Sequence, residues 1–484
     1  MALNAESIPM RWPAGPLDIA RGEKVKGFTA DTAEVLRKWQ DPASLALVQG
    51  TPINCLVVSW AADAGQQQAL KPLIEKGKQA GLEFVGLIEG EANKPAAVAA
   101  AQSAGLAAVA MEGDAPASAG VPVIPWNKSA QVRASAKSPI LGISDGVFPG
   151  LPQAASQAGG PTNLPWVDSN GAPLLIARAL APDKTVWAGF DPPAKAAAEA
   201  YMLAVADPAS HGARWVISLD DQLRADLTAK KQPAADTWKK LIDTVTFFEQ
   251  HKELRTYQPG GRLAVMSNFA GPDYETGEEA INLLPRLRQP CRVIARSRAA
   301  SASFTGLQAI FYVDKEAPDA ALRKKLLAFA TDGGILFVPS NWQNPEGSPT
   351  PAEAYLLFNM RAVGKGRLAV CKEAQPDAYD TVADIQNIMS HRNDLLRLYN
   401  APSANFLYET SAQGGQGTIQ LLNYSRRPGS DGPLFWVKEP YKLARLVSPE
   451  LASPEELKFA SQEAGGAELS LPRLSVYGAI ELEK

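Results

Sequence analysis

Short apolar segments recur through the first half of this chain, and each is followed by an acidic residue, an aromatic residue or a turn. Continuous apolar runs of this length are typical of strands that are buried on both faces, and hence of a parallel sheet. Helical patterns separate the runs, as in an alternating α/β fold. A competing position for the weak first strand is 17–20. The pattern predicts a (β/α)8 TIM barrel with strands near residues 8–12, 53–60, 84–89, 106–112, 121–126, 140–145, 185–191 and 213–219.

Two further regions follow the predicted barrel. After Gly260-Gly261 a second alternating unit begins, which predicts an open, flavodoxin-like parallel sheet that ends in a helix near 383–399. From Ala401 onward helical periodicity disappears, and short alternating segments predict an antiparallel β-sandwich. The predicted domains are 1–258 for the barrel, 259–400 for the α/β domain and 401–484 for the sandwich.

Charge and residue usage exclude several classes of function. The net charge of −3 and the absence of a basic cluster disfavour nucleic acid and anionic membranes as partners. Three histidines and three widely spaced cysteines predict neither a metal site nor another cofactor. No apolar run approaches the length of a membrane span, and the N-terminus shows no leader pattern. We expect a soluble protein, and a secreted or periplasmic location stays open because a leader can be removed.

Carboxylates follow several predicted strands, at the end of a (β/α)8 barrel that holds the active site. Glycoside hydrolysis needs two such groups, one to protonate the leaving oxygen and one to attack carbon or activate water. Our catalytic candidates are Glu112 as acid/base and Asp191 as nucleophile or base, with Asp145 as their substitute. Asp145 lies beside the Gly- and Pro-rich segment 146–164. Each acid has a competing role, because acidic residues after strands also cap the helices that follow.

A second set of residues is expected to bind a sugar at the same end of the barrel. Aromatic faces stack on the apolar side of sugar rings, and polar groups fix the orientation of the ring. The competing interpretation of the tryptophans is that they pack loops over the barrel. The candidates for substrate binding are Trp60, Glu89, Trp126, Trp166, Asp168 and Asp220.

The segments 419–424 and 471–477 resemble the accessory sandwiches of multidomain glycoside hydrolases. Barrel, α/β domain and sandwich is also the domain order of family-42 β-galactosidases. This resemblance implies hydrolysis of an oligo- or polysaccharide. It also implies a middle domain that is similar to class I glutamine amidotransferases and supports self-association into a homo-oligomer.

Two positions depart from the pattern of that family. The large clan of retaining barrel hydrolases has an Asn-Glu pair after strand four and a Glu after strand seven. This chain has Met111-Glu112 and Asp191 there. A second hypothesis is therefore a catalytically inactive carbohydrate-binding or scaffolding protein on the same architecture.

Overall fold

The computed structural model describes residues 3–90, 93–113, 120–133, 138–151, 167–411, 415–429, 432–438, 441–460 and 465–484. The chain forms two compact units. The first comprises Met1–Pro149 and Ala181–Lys252, and the second comprises Gly150–Leu180 and Glu253–Lys484. The second unit therefore includes a segment that lies between two barrel strands in sequence.

The first unit contains an eight-stranded parallel sheet whose strands follow chain order. Met10 pairs in parallel with Ile217, so the first and last strands meet and the sheet closes into a TIM-type barrel. The predicted barrel is confirmed, whereas the competing first strand at 17–20 is wrong because those residues form a helix. The strands are β1 Pro9–Arg11, β2 Cys55–Ser59, β3 Glu83–Ile88, β4 Ala108–Met111, β5 Val123–Asn127, β6 Ile140–Ile143, β7 Thr185–Ala188 and β8 Ala213–Trp215.

Helices lie between most of these strands, and several begin at a side chain that caps them. Asp63 accepts a hydrogen bond from the backbone N–H of Gln66, as expected of an N-cap residue. In chain order the helices are α1 Pro16–Gly22, α2 Ala30–Gln40, α3 Ala64–Gln79, α4 Lys94–Ser103, α5 Gly171–Leu180 (in the second unit), α6 Ala198–Ser210, α7 Asp221–Thr228 and α8 Gln232–Gln250.

The barrel has a packed interior. Alternate residues of each strand point inward, and Val57, Leu87, Ala110 and Trp187 belong to one buried cluster. The other face of the strands packs against helices. Trp12, for example, donates a hydrogen bond from its indole N–H to the Trp39 carbonyl at 2.9 Å. Both faces of the strands are thus buried, as the continuous apolar runs predict.

The second unit contains a seven-stranded sheet in the order β11-β10-β12-β13-β16-β15-β14. Its first five strands in that order run parallel, which confirms the predicted open α/β sheet. The hairpin β14–β15 was not predicted, because Pro349 and Pro351 weaken the strand pattern of β14 at the sheet edge. The elements are β10 Leu263–Ser267, α9 Pro272–Arg286, β11 Cys291–Ala295, β12 Ala309–Tyr312, α10 Ala320–Thr331, β13 Ile335–Val338, β14 Ser348–Ala354, β15 Phe358–Val363, β16 Gly366–Cys371 and α11 Ala378–Met389.

Two antiparallel sheets form the predicted sandwich, with Phe406, Ile419 and Phe435 in its buried core. The expected helix over 383–399 is wrong in its last part, because 396–399 alternate with period two and form a strand. The strands are β9 Gln258–Pro259, β17 Leu396–Tyr399, β18 Ala404–Thr410, β19 Gln416–Asn423, β20 Leu434–Val437, β21 Leu443–Val447, β22 Glu455–Leu457, β23 Phe459–Ala460, β24 Ala467–Ser470 and β25 Tyr477–Glu483.

The two units include all three predicted sheet types. The finer division into domains 1–258, 259–400 and 401–484 stays a prediction. Among the described helices, none is both long and apolar enough to cross a membrane.

Candidate active site at the barrel mouth

Eight inward positions lie at the carboxyl ends of the barrel strands. Arg11 pairs with the inward residue Val57, so the strand alternation puts Ser59 at the next inward position of β2. The same alternation, continued past the last paired residue where the strand has ended, assigns one residue to each strand. We call these residues the mouth ring. They are Arg11, Ser59, Glu89, Glu112, Trp126, Ser144, Asp191 and Ser218.

Trp126 presents an indole at this end of the barrel. The ring lies against the backbone of Gly142 on β6 and of Gly189 just after β7, and a methyl group at either glycine would overlap it. Trp126 also packs on the buried barrel cluster, yet the residue as a whole is only partly buried. An aromatic ring that is packed against backbone and still partly exposed suits stacking on a sugar.

Glu112 follows β4 and is exposed. Its backbone carbonyl accepts a hydrogen bond from Lys94 Nζ at 3.0 Å. The next residue, Gly113, donates its N–H to Asn127 Oδ1 at 3.0 Å. Of Glu112 and Gly113, these contacts involve only the backbone, and they stabilise the turn. Within the part of the chain that the structure describes, no group donates a hydrogen bond to the Glu112 carboxylate.

Asp191 follows β7 and is also exposed. Its Oδ1 accepts a hydrogen bond from the Ser218 hydroxyl at 2.6 Å. Ser218 belongs to the mouth ring as well, so this contact lies at the inner side of the barrel end. The hydroxyl fixes the orientation of the carboxylate and leaves its second oxygen available.

Two other predicted acids accept hydrogen bonds from backbone N–H groups. Asp145 accepts hydrogen bonds from the backbone N–H of Ser129 at 2.8 Å and from its hydroxyl at 3.2 Å. Asp220 is buried and caps α7 through the N–H groups of Gln222 and Leu223, while Tyr201 donates its hydroxyl to it at 2.7 Å. Asp220 thus has the capping role that the sequence left open, whereas Asp145 holds Ser129, which precedes it in the chain, and caps no helix that follows it among the described residues.

Three other predicted residues are not part of the mouth ring. The alternation of β2 puts Trp60 on the outward face of the barrel. Its side chain is buried and donates its indole N–H to the Ala97 carbonyl at 3.1 Å. Packing between strand and helix therefore accounts for this ring. Asp168 belongs to the second unit, where its backbone pairs with Gly150. Trp166 lies outside the described residues.

A buried polar network that the sequence did not predict lies at the ends of β1 and β2. Asp18 on α1 accepts hydrogen bonds from Arg11 Nη2 at 3.0 Å, from the Ser59 hydroxyl at 2.7 Å and from the Ala14 N–H at 2.9 Å. Arg11 Nη2 also donates to Ser59 Oγ at 2.6 Å. The one available signal was an arginine inside an otherwise apolar strand, and no motif connects it to Asp18.

Gln66 on α3 braces this network. Its side chain is buried; it accepts the Leu17 N–H at 3.0 Å and donates to the carbonyls of Ser59 at 2.9 Å and Ala14 at 3.2 Å. Gly15 has φ 88°, and a Cβ there would lie 2.6 Å from Gln66 Oε1. Glycine is thus required where the chain turns from β1 into α1.

Arg21 links the buried network to Glu89 of the mouth ring. Its guanidinium lies 3.7 Å from Asp18 Oδ1, donates to Ser59 Oγ at 3.4 Å and forms an ion pair with Glu89. The side chains of Arg21 and Glu89 are 46% and 48% exposed, so this pair faces solvent while its support is buried. Glu89 is therefore a positioned group.

Comparison with known proteins identifies similar structures. No protein-family model matches this sequence, and no curated protein does. The structure is similar to α-L-fucosidase isoenzyme 2 from Paenibacillus thiaminolyticus, with a TM-score of 0.58, 10% identity, and coverage of 98% of this chain and 99% of that one. An exo-β-1,4-mannosidase from Opitutaceae bacterium strain TAV5 gives a TM-score of 0.45 at 12% identity, over 80% of this chain and 94% of that one. A β-galactosidase from Bacillus circulans sp. alkalophilus gives 0.39 at 10% identity, over 86% and 67%. The first likeness extends over nearly all of both chains, and it establishes that the chain shares the fold of that fucosidase.

Proposed function

We propose that this protein is a glycoside hydrolase that acts on an oligo- or polysaccharide at the barrel mouth. The observation that carries the proposal is the composition of the mouth ring. Glu112 and Asp191 are its two exposed carboxylates that neither cap a helix nor pair with an arginine. Trp126 adds a supported aromatic face to the same ring of side chains.

The two carboxylates have separate roles in the proposed reaction. Glu112 gives a proton to the leaving glycosidic oxygen, and Asp191 attacks the anomeric carbon or activates a water molecule. The Ser218 hydroxyl orients Asp191, which is the carboxylate that must approach the sugar along a defined line. No step in this reaction needs a cofactor.

The shared fold supports the proposal at the level of reaction class. The carboxyl ends of the strands form the active site in TIM-barrel enzymes, and the α-L-fucosidase noted above has this fold over its whole length. Fold by itself does not fix function. The proposal therefore depends on the residues at the mouth, and we take the sugar to be the partner of Trp126, Glu112 and Asp191.

Turnover of aryl glycosides tests the proposal. We would assay wild type, Glu112→Gln and Asp191→Asn on aryl α-L-fucosides, β-D-galactosides and β-D-mannosides, the glycosides that the names of the similar structures suggest. Each substitution keeps the size of the side chain and removes its acid–base or nucleophilic chemistry. We expect kcat/KM to fall by roughly 10²- to 10⁴-fold in both variants.

Glu34→Gln is the matched control, since Glu34 is an exposed glutamate on α2 whose ion pair lies on the surface. It should keep wild-type kcat/KM. Wild-type rates in the two test variants would refute the assignment of the pair. Tight sugar binding without turnover by wild type would favour the inactive carbohydrate-binding protein instead.

A further inference from the structure

The Arg21–Glu89 pair is the most strongly supported exposed group at the barrel mouth. Arg21 contacts Asp18 and Ser59, whose side chains are buried, on one side and Glu89 on the other. Its guanidinium is thus held at three points although nearly half of the side chain is exposed. A surface ion pair of this kind contributes little to stability. The buried contacts that hold Arg21 therefore suggest that the position of the pair is important for function.

The pair offers a donor and an acceptor side by side. A guanidinium can only donate hydrogen bonds, and an ionised carboxylate can only accept them. Each sugar hydroxyl both donates and accepts, so two adjacent hydroxyls can donate one hydrogen bond to Glu89 and accept one from Arg21. Because the buried contacts fix the Arg21 guanidinium, which holds Glu89 through the ion pair, a ligand loses little of its binding free energy in ordering the two groups.

The charge around the pair favours an uncharged ligand. The mouth ring has one arginine, Arg11, against three acids, and α1 adds Asp18 and Arg21. Lys94 adds one more positive charge, since its Nζ donates to the Glu112 carbonyl at 3.0 Å. Four carboxylates therefore face three cationic groups, and both guanidinium groups already have a carboxylate partner. A ligand with its own carboxylate or sulfate would meet an excess of negative charge.

We propose that Arg21 and Glu89 bind two adjacent hydroxyl groups of a neutral sugar, and that the site selects neutral sugars over uronic acids. The inference rests on the proposed function, because it names the sugar class for the same barrel mouth. Trp126 lies on β5, two strands along the barrel sheet from β3, which ends just before Glu89, and supplies the apolar contact that a pyranose ring needs. Asp18 and Ser59 act through Arg21 as positioning residues.

Direct binding tests this inference without turnover. The probes are D-galactose and D-mannose, each with its uronic acid, which differs only at C6. Affinities for the Glu112→Gln protein, with and without Glu89→Ala, would be measured by saturation-transfer NMR and calorimetry. We expect millimolar binding of at least one neutral sugar, at least tenfold weaker binding of its uronic acid, and roughly a tenfold loss of affinity with Glu89→Ala.

Glu34→Ala is the matched control, because it removes the glutamate of the exposed Arg37 pair on α2 and should leave affinity unchanged. Equal affinity with and without Glu89, tighter binding of the uronic acid, or no binding of either neutral sugar would overturn the inference.

Failure of the proposed function can be distinguished from failure of this inference. If aryl glycosides are hydrolysed and Glu89→Ala leaves KM unchanged, the hydrolase stands and this site does not. If turnover is absent but Glu89→Ala weakens sugar binding, the sugar site stands and the hydrolase proposal does not.

Discussion

Both compact units of this protein bury carboxylates among polar partners, and Asp18 of the first unit differs from Glu409 of the second in how well its partners satisfy it. In the first unit, Asp18 accepts hydrogen bonds from the Arg11 guanidinium, the Ser59 hydroxyl and the Ala14 N–H, all at 3.0 Å or less. A second guanidinium, that of Arg21, lies 3.7 Å away. Asp18 thus has two positively charged neighbours.

In the second unit, Glu409 on β18 has a poorer set of partners. It accepts a hydrogen bond from Gln420 Nε2 at 2.7 Å, while the Arg178 guanidinium on α5 is 3.5 Å away. Gln420 in turn accepts the Tyr477 hydroxyl at 2.7 Å. Burial raises the pKa of Glu409 to about 7, and the contacts with Arg178 and Gln420 only partly oppose this effect.

The comparison shows that burial alone does not determine what a carboxylate does. A buried carboxylate loses its hydration, and only close charged donors replace that loss. Asp18 has such donors and holds two arginines in place at the barrel mouth. Glu409 has one arginine at 3.5 Å, and burial outweighs this contact and raises the pKa of Glu409 to about 7. Three predictions test this contrast.

Asp18→Asn is expected to have the largest effect. The substitution leaves the Arg11 guanidinium, whose side chain is 15% exposed, without its counter-ion and points an amide N–H toward other donors. Breaking a buried pair in this way costs about 3–5 kcal/mol. Urea unfolding followed by tryptophan fluorescence would measure the loss. Asp31→Asn, at an exposed position in the first turn of α2, is the control and should cost no more than about 1 kcal/mol, its interaction with the helix dipole. An unchanged midpoint for Asp18→Asn would mean that the network contributes nothing to stability.

Glu409→Gln is expected to change how stability depends on pH. The folded pKa of about 7 lies above the ordinary value of 4.5, so the folded state binds the extra proton between those values. The free energy of unfolding should therefore fall as pH rises from about 4.5 to about 7, by about 3 kcal/mol at most. The Gln variant should lack this part of the pH dependence.

Unfolding curves at pH 5 and pH 8 would measure the difference between wild type and Glu409→Gln. Glu481→Gln, which removes a partly buried acid of the same sheet that is paired with Arg445, serves as the control. Identical pH profiles for wild type and Glu409→Gln would show that Glu409 is ionised throughout, and the contrast with Asp18 would disappear.

Ser59→Ala is expected to have the smallest effect. The variant removes the hydroxyl that donates to Asp18 and accepts from Arg11 and Arg21. Asp18 keeps its contacts with Arg11 and Ala14. We expect a loss of about 1–2 kcal/mol in the free energy of unfolding. Ser129→Ala removes a similar hydroxyl–carboxylate contact at an exposed site and should change stability by less than about 0.5 kcal/mol. A larger loss at Ser129 than at Ser59 would contradict the importance of burial.

Much of the fold could be predicted from the sequence, because strands that are buried on both faces leave contiguous apolar runs. The barrel strands were found in this way, and the sandwich strands were found from the alternation of their short segments. The hairpin β14–β15 was missed because its prolines are tolerated only at a sheet edge, and edge position is a tertiary property. Likewise, the assignment of α5 to the second unit depends on packing and has no local signal.

The sequence by itself determined which residues follow each barrel strand, and so it named Glu112, Asp191 and Trp126 as candidates. Only the tertiary structure decided which of the strand-end residues point inward. Trp60 and Ser59 are neighbours in sequence, yet one packs against a helix and the other contacts Asp18. Every residue of β2 is buried, so its sequence has no alternation of polar and apolar residues that could distinguish the two faces. Strand register and closure of the barrel set that direction, and they also brought Arg11, Asp18 and Ser59 together.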